Sequence, residues 1–215
     1  MIYNPQHQPA SRHLLYIMDP MCSWCWAFAP VFKQLKQDLP EELEVYTLLG
    51  GLAPDSDAPM PANMRQQIEQ TWHHIENKTK TLFNYQFWVK NTPRRSTYPA
   101  CRAVITAGNQ SDTLADQMIQ AIQQAYYLEA KNPSDQSTLV DLATDLGLEA
   151  KTFSEDLNSD TTNRLFTEQL KFIQQLGIQG FPSLVLFSEG HYRLISHGYC
   201  DLETLKVNLG RAAVF

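Results

Sequence analysis

The sequence predicts an α/β fold in which a central mixed β-sheet flanked by helices is interrupted by a large all-helical insertion. Three observations carry this. Residues 13–49 read strand–helix–strand. From about Ala53 to Asn163 the apolar spacing is helical and nothing reads as strand. After Gly180-Phe181-Pro182 two short strand patterns return, followed by a last helix.

The first strand is His13 to Met18, where Leu14, Leu15, Tyr16 and Ile17 form a short continuous apolar run that suits a buried strand. Asp19-Pro20 ends it, because proline lacks the donor that a central strand needs. From Ser23 to Leu39 the pattern turns helical. Trp24, Phe28, Val31, Phe32 and Leu35 fall near one face, and Pro40 marks the stop. Pro30 lies inside this helix, where a kink is expected. Glu44 to Leu49 is the second strand, closed by Gly50-Gly51, which completes a βαβ unit.

Within the insertion, Met64 to Asn77 and Tyr98 to Ala107 read as helices. Leu114, Met118, Ile122 and Ala125 lie about four apart on a helix capped at Ser111 or Asp112. Leu139, Leu142, Ala143 and Leu146 form another stripe, stopped by Gly147. Lys151 to Leu157 is a short helix, and Phe166, Leu170, Ile173 and Leu176 mark a last one before Gly177. Ser183 to Phe187 and Tyr192 to His197 then read as strands joined by a turn at Ser188-Glu189-Gly190. Asp201 can cap a final helix, Leu202 to Leu209. The expected organisation is one discontinuous domain, 1–52 with 163–215, and an inserted helical domain, 53–162.

Composition narrows the function. Of 215 residues, 43% are hydrophobic and 11% aromatic, enough for a sizeable core. The net charge of -6, with Lys and Arg scattered, gives no basic footprint, so neither nucleic acid nor an anionic membrane is an expected partner. No apolar run reaches about eighteen residues, so no membrane span is expected. The segment from Met1 to Pro9 has no basic region followed by an apolar run, which points to a cytoplasmic location without a secretory leader. Four cysteines in so long a chain do not make a disulfide framework.

Two of those cysteines form Cys22-Ser23-Trp24-Cys25 at the start of the first helix. Unpaired backbone N–H groups and the positive end of the helix dipole favour an anionic sulfur there, and the thiolate is the nucleophile. Cys25, almost one turn on, is the more buried sulfur and is placed to resolve a bond made by Cys22. A lone C-x-x-C also fits half of a zinc site. Cys101 and Cys200 could supply two more ligands, but they stand singly rather than as a second C-x-x-C, so no metal is assigned. Gly180-Phe181-Pro182-Ser183, ahead of an apolar strand, is the second notable motif. From the residues alone Pro182 reads as an ordinary strand-leading proline, since most X-Pro bonds are trans.

Taken together, the strand ending in Asp19-Pro20, the C-x-x-C at a helix start, Pro30 five residues after Cys25, and Gly-Phe-Pro-Ser before a hairpin and terminal helix resemble the thioredoxin superfamily. The helical insertion makes the chain similar to its DsbA-like branch. The segment from Asp19 to Trp26 resembles cytoplasmic DsbA-like proteins of the FrnE type. The resemblance implies a thiol–disulfide oxidoreductase or isomerase in which Cys22 attacks and Cys25 resolves. It implies a cis Phe181–Pro182 bond opposite the cysteines, and substrate contacts from Phe181, Pro182, Met21 and Trp24. Protein or small thiol and disulfide substrates are expected, with no cofactor beyond the redox-active disulfide and with glutathione or a dithiol as redox partner. Met21 replaces the tryptophan of thioredoxin itself, and Ser23-Trp24 lacks the motif histidine of strongly oxidising periplasmic members, so a less oxidising protein is expected. Cys101 stands where related proteins have a histidine and is given no catalytic role.

Two other functions compete. Glutathione-dependent enzymes of the 2-hydroxychromene-2-carboxylate isomerase and kappa-class transferase type share the helical insertion, but a serine commonly takes the place of the first cysteine. A zinc-stabilised, non-enzymatic module is the other. Retention of both cysteines favours redox chemistry. His73-His74, with Glu69 and Glu76 nearby, reads as a solvated face, because adjacent helical residues point about 100° apart. Trp72, Phe83, Tyr85, Phe87, Trp88 and Tyr98 read as core of the insertion, the alternative being a groove over Cys22. Arg94-Arg95 reads as a surface pair, and Cys101 and Cys200 as inert small hydrophobes.

Overall fold

The computed structural model describes residues 1–5, 11–212 and 214; residues 6–9 of the segment read for a leader lie outside the described residues. Four strands, β1 (His13–Met18), β2 (Glu44–Leu49), β3 (Ser183–Ser188) and β4 (His191–His197), form one mixed sheet in the order β2-β1-β3-β4. β1 is central, parallel to β2 and antiparallel to β3. All six of its residues are buried, which is why it carries an unbroken apolar run. Its side chains nevertheless alternate between two cores. Leu14, Tyr16 and Met18 enter the large one and Leu15 and Ile17 the small one, as the two-residue period of a strand requires. In the β3–β4 hairpin, Glu189 and Gly190 have φ of 54° and 80°, the paired positive values of a tight primed turn.

The helices are α1 (Ser23–Asp38), α2 (Ala62–Thr79), α3 (Phe87–Lys90), α4 (Tyr98–Gly108), α5 (Asp112–Tyr127), α6 (Gln136–Asp145), α7 (Ala150–Leu157), α8 (Asp160–Gln175) and α9 (Leu202–Arg211). Between the alternatives for capping α5 the structure selects Ser111, whose side chain accepts from the Leu114 N–H. Asp201 caps α9 by accepting from Thr204. Pro30 lies inside α1. The short α3 leaves no sequence signal, because four residues are too few to show a helical period. α8 starts at Asp160 behind the Ser159 cap, earlier than its stripe from Phe166 reveals, so the expected division at 162/163 falls in its first turn.

The first residues of the chain also take part. Ile2 bridges to Thr47, with the Tyr3 N–H donating to the Thr47 carbonyl at 2.9 Å and the Thr47 N–H to the Met1 carbonyl at 2.8 Å. This covers the outer edge of β2, which would otherwise present unpaired backbone groups. Gln169 of α8, fully buried, holds both layers: its amide donates to the Tyr3 carbonyl at 2.7 Å and accepts from the Leu49 N–H at 2.8 Å.

The large core joins the sheet to the insertion in one continuous cluster, from Leu14 and Phe28 to Val104, Met118 and Tyr127. At the centre of its helical part is Trp72, with no exposed surface. Its ring packs against those of Phe83, Phe87, Trp88, Tyr126 and Tyr127 at centroid distances of 4.8 to 5.8 Å. Trp72, Phe83, Phe87 and Trp88 are therefore core, and Tyr98 meets Phe166 edge-on at 4.8 Å.

Candidate active site

Cys22 is the N-cap residue of α1, in extended conformation. The turn that delivers it is short and tied at both ends. Its N–H donates to the Asp19 carbonyl and its own carbonyl accepts from the Trp26 N–H, each at 3.0 Å. The buried β1 thus sets the sulfur at the end of the sheet. Cys22 is 7% exposed and Cys25 0%, and both are free thiols. Of the two sulfurs, only that of Cys22 belongs to a residue with exposed surface.

The fold brings the second motif to this point. The Phe181–Pro182 peptide is cis. The Cys22 thiol donates to the Phe181 carbonyl at 3.6 Å, across 159 positions of sequence. The loop is pinned behind that contact: the Gly198 N–H donates to the Pro182 carbonyl at 2.7 Å and the Ser183 hydroxyl to the Gly180 carbonyl at 2.8 Å. Gly50, at the end of β2, leaves room for the Phe181 ring, and a Cβ there would fall well inside van der Waals contact with it. Gly50→Ala is therefore expected to displace Phe181, cost about 1–3 kcal/mol of stability and weaken substrate binding. Thermal denaturation and the KM for a disulfide substrate check this; an unchanged KM would show that the Phe181 position is immaterial.

Burial and the adjacent Cys22 push the Cys25 thiol well above the ordinary cysteine range. Cys25 therefore waits as a neutral thiol. Burial, with Cys25 and Cys22 nearby, likewise raises the Tyr16 phenol, which stays uncharged beside both sulfurs. Asp19 is fully buried at the same turn. Burial raises its pKa, against the pull of four stabilising neighbours: the Thr97 hydroxyl, the Leu52 and Met21 N–H groups and the Arg95 charge. Its carboxyl accepts from Thr97 at 2.6 Å and from the Met21 and Leu52 N–H groups at 2.7 Å. Cys101 donates its thiol proton to the same carboxyl at 3.7 Å. Asp19 thus joins the thiol turn to α4 and to the end of β2.

Two readings from sequence change here. Cys101 is inert as expected, fully buried with its thiol pushed well above the ordinary range by burial, but it hydrogen-bonds a buried acid rather than packing only as an apolar filler. The Arg94-Arg95 pair is half-buried rather than superficial: Arg94 binds Asp135 at 2.6 Å and the charge of Arg95 bears on Asp19. The reading of His73-His74 as a solvated face stands, since both are exposed, and the His74 ring also meets Trp24 at 5.8 Å. Trp24 is half-buried between His74 and Tyr199, whose ring lies at 5.6 Å, with Lys78 Nζ 5.5 Å over its face. His74, Lys78 and Tyr199 have no motif spacing to the cysteines, so only the folded chain reveals them. Phe181 is half-buried, whereas Pro182 and Met21 are buried. Among the described residues no group of three or more His, Cys, Asp or Glu side chains could hold a metal ion, and no helix is long and apolar enough to cross a membrane.

The helical insertion between β2 and β3, with the Cys22 thiol against the carbonyl before the cis Phe181–Pro182 bond, belongs to the DsbA-like branch of thiol–disulfide oxidoreductases on the thioredoxin fold. The chain belongs to the family described as Thioredoxin, whose model matches residues 15–203. A candidate protein disulfide isomerase from Nitrosomonas europaea is 32% identical and superposes with a TM-score of 0.84, covering 94% of this chain and 98% of its own. The cytosolic disulfide reductase DsbM of Pseudomonas aeruginosa, 22% identical, reaches 0.75 over 94% of this chain and 98% of its own. A 2-hydroxychromene-2-carboxylate isomerase, 14% identical, reaches 0.67 over 94% and 96%. The last two likenesses concern the fold alone. The ClpXP adapter protein SpxH of Bacillus subtilis is 22% identical over 86% of this chain and 61% of its own length. The chain thus spans about three fifths of the length of that curated relative.

Proposed function

We propose that this protein exchanges disulfides through the Cys22–Cys25 dithiol, as an oxidoreductase or isomerase acting on protein substrates. The observation that carries the reading is the Cys22 sulfur at the N-cap of α1, 3.6 Å from the Phe181 carbonyl and next to a fully buried second thiol. The Cys22 thiolate attacks one sulfur of a substrate disulfide. A mixed disulfide forms and the other substrate sulfur leaves as thiolate. Cys25 then gives up its proton and attacks the Cys22 sulfur, releasing the second substrate thiolate and leaving a Cys22–Cys25 bond. Two electrons pass from the protein to the substrate; the reverse sequence oxidises a dithiol. The Phe181 backbone pairs with an extended substrate segment, as in strand addition, and Pro182, with no N–H, presents no competing donor. Trp24 and Met21 shape the surroundings of the attacked bond.

On this reading 1–52 and 163–215 form the redox unit and 53–162 the inserted helical one. The protein works in the cytoplasm, with no cofactor beyond its own disulfide, and glutathione or a dithiol protein resets it. The cytosolic reductase among its structural neighbours supports that setting.

Cys25→Ser separates the two chemical steps. The variant is expected to stop at the mixed disulfide and accumulate a covalent, DTT-reversible adduct with a disulfide-bonded protein, visible as a shift on a non-reducing gel. Turnover at the wild-type rate without an adduct would remove Cys25 from the mechanism. The same variant tests glutathione-dependent isomerisation, which needs no resolving thiol and would proceed undiminished. The name of the SpxH relatives favours a second reading, a protein-binding adapter. Partner binding unaffected by Cys22→Ser, with no exchange activity in the wild type, would establish that reading instead.

A further inference from the structure

A cleft of about 770 Å³ opens between α1 and α5, on a face bordered by none of Cys22, Cys25, Trp24, Phe181 or Pro182. Tyr16, Trp26, Pro30 and Ile119 give it apolar walls. Leu82 and Leu128 also border it and are 68% and 39% exposed, so large apolar side chains are left in water there. The volume falls in the range of small-molecule sites, about 300–1,000 Å³.

Its neutral polar groups, glutamines and threonines, both donate and accept, but its charged groups are mostly cationic. Lys33, Lys36, Lys80 and Gln123 line it, against one carboxylate, Asp116. Lys36 already binds Asp116 at 3.0 Å. Among the described residues Lys33 forms no ion pair, and Lys80 Nζ reaches only the Asn77 carbonyl, at 3.2 Å. Lys80 also sits at φ 62°, the left-handed position closing α2, where glycine is the usual residue. A lysine there keeps a charged side chain at the rim at some backbone cost. Gln123 is 2% exposed, and its Nε2 has no hydrogen-bond partner among the described residues. A buried donor left unmatched costs about 1–3 kcal/mol. Apolar walls with two lysines left without an ion pair and one unmatched buried amide donor describe a site for an apolar body carrying one negative charge.

We propose that this cleft binds an amphipathic monocarboxylate of the fatty-acid type. The chain lies against Trp26, Pro30 and Ile119, and the carboxylate meets Lys33 and Lys80. Binding needs no thiol chemistry, so it can fail or succeed independently of the exchange reaction.

The test is calorimetric titration of the full chain with decanoate, decanol and decyltrimethylammonium. Decanoate is expected to bind saturably, one to one. Decanol, with the same chain and no charge, and the cationic analogue should each bind at least about tenfold more weakly, a difference of about 1.4 kcal/mol. The double charge reversal Lys33→Glu with Lys80→Glu, at exposed positions, should weaken decanoate by a similar factor while leaving the thermal melting curve in place. Ile119→Trp, which narrows the cleft at its apolar wall, should weaken decanoate binding. Absence of saturable decanoate binding to the wild type would overturn the proposal. So would equal affinity for the cation, or an unchanged affinity in the lysine variant.

Discussion

Cys22→Ser is expected to reduce kcat/KM for disulfide exchange by more than about 10³-fold, roughly 4 kcal/mol of lost transition-state stabilisation. A serine oxygen is not ionised near neutral pH and cannot form the mixed disulfide, so no later step can rescue the reaction. Cys25 cannot substitute for it. It has no exposed surface and its thiol is held neutral by burial and by the neighbouring sulfur. The small change in volume should leave the fold intact, because Cys22 sits at a helix cap and the turn is held by backbone bonds from Asp19 and Trp26. Insulin reduction or a chromogenic disulfide measures the loss, and an unshifted melting curve confirms that the fold is not its cause. Retained exchange in this variant would locate the chemistry elsewhere.

The largest expected effect on stability is that of Trp72→Ala, about 3–5 kcal/mol. The indole is fully buried and anchors the aromatic cluster of the insertion, so its removal leaves a cavity among rings that cannot collapse freely. The large core runs without a break from this cluster to Phe28 and Cys25. Loss of stability here should therefore reach the active-site helix rather than stay local. In urea the midpoint is expected to fall with little change in slope. Val89→Ala, at a position 75% exposed one residue beyond Trp88, should shift the midpoint little.

The sheet and the helices that flank it were legible in the sequence because each part leaves a local signal. Burial on both faces gives β1 its unbroken apolar run, and Asp201 sits where α9 begins. The cysteine pair announces itself by spacing. What was not legible depends on contacts between distant segments. Asp19 looked like the end of a strand, and nothing local shows that Thr97, Cys101 and Leu52 converge on it. The pairing of Ile2 with Thr47 rests on too few residues to carry a period. Trp24, His74 and Tyr199 come from three separate elements, so their grouping exists only in the folded chain. Gly50 shows the same limit: as a turn signal it closed β2, but its close approach to Phe181 is a tertiary fact.

The central claim is that Cys22 and Cys25 form a reversible dithiol–disulfide couple. It is tested most directly by equilibrating the protein in glutathione buffers of defined potential and counting alkylatable thiols by mass. The prediction is that both cysteines lose reactivity together in one two-electron transition, with about 30 mV for each tenfold change in the equilibrium constant. Two thiols that remain alkylatable across the whole range, or a Cys22–glutathione adduct that forms while Cys25 stays free, would contradict it.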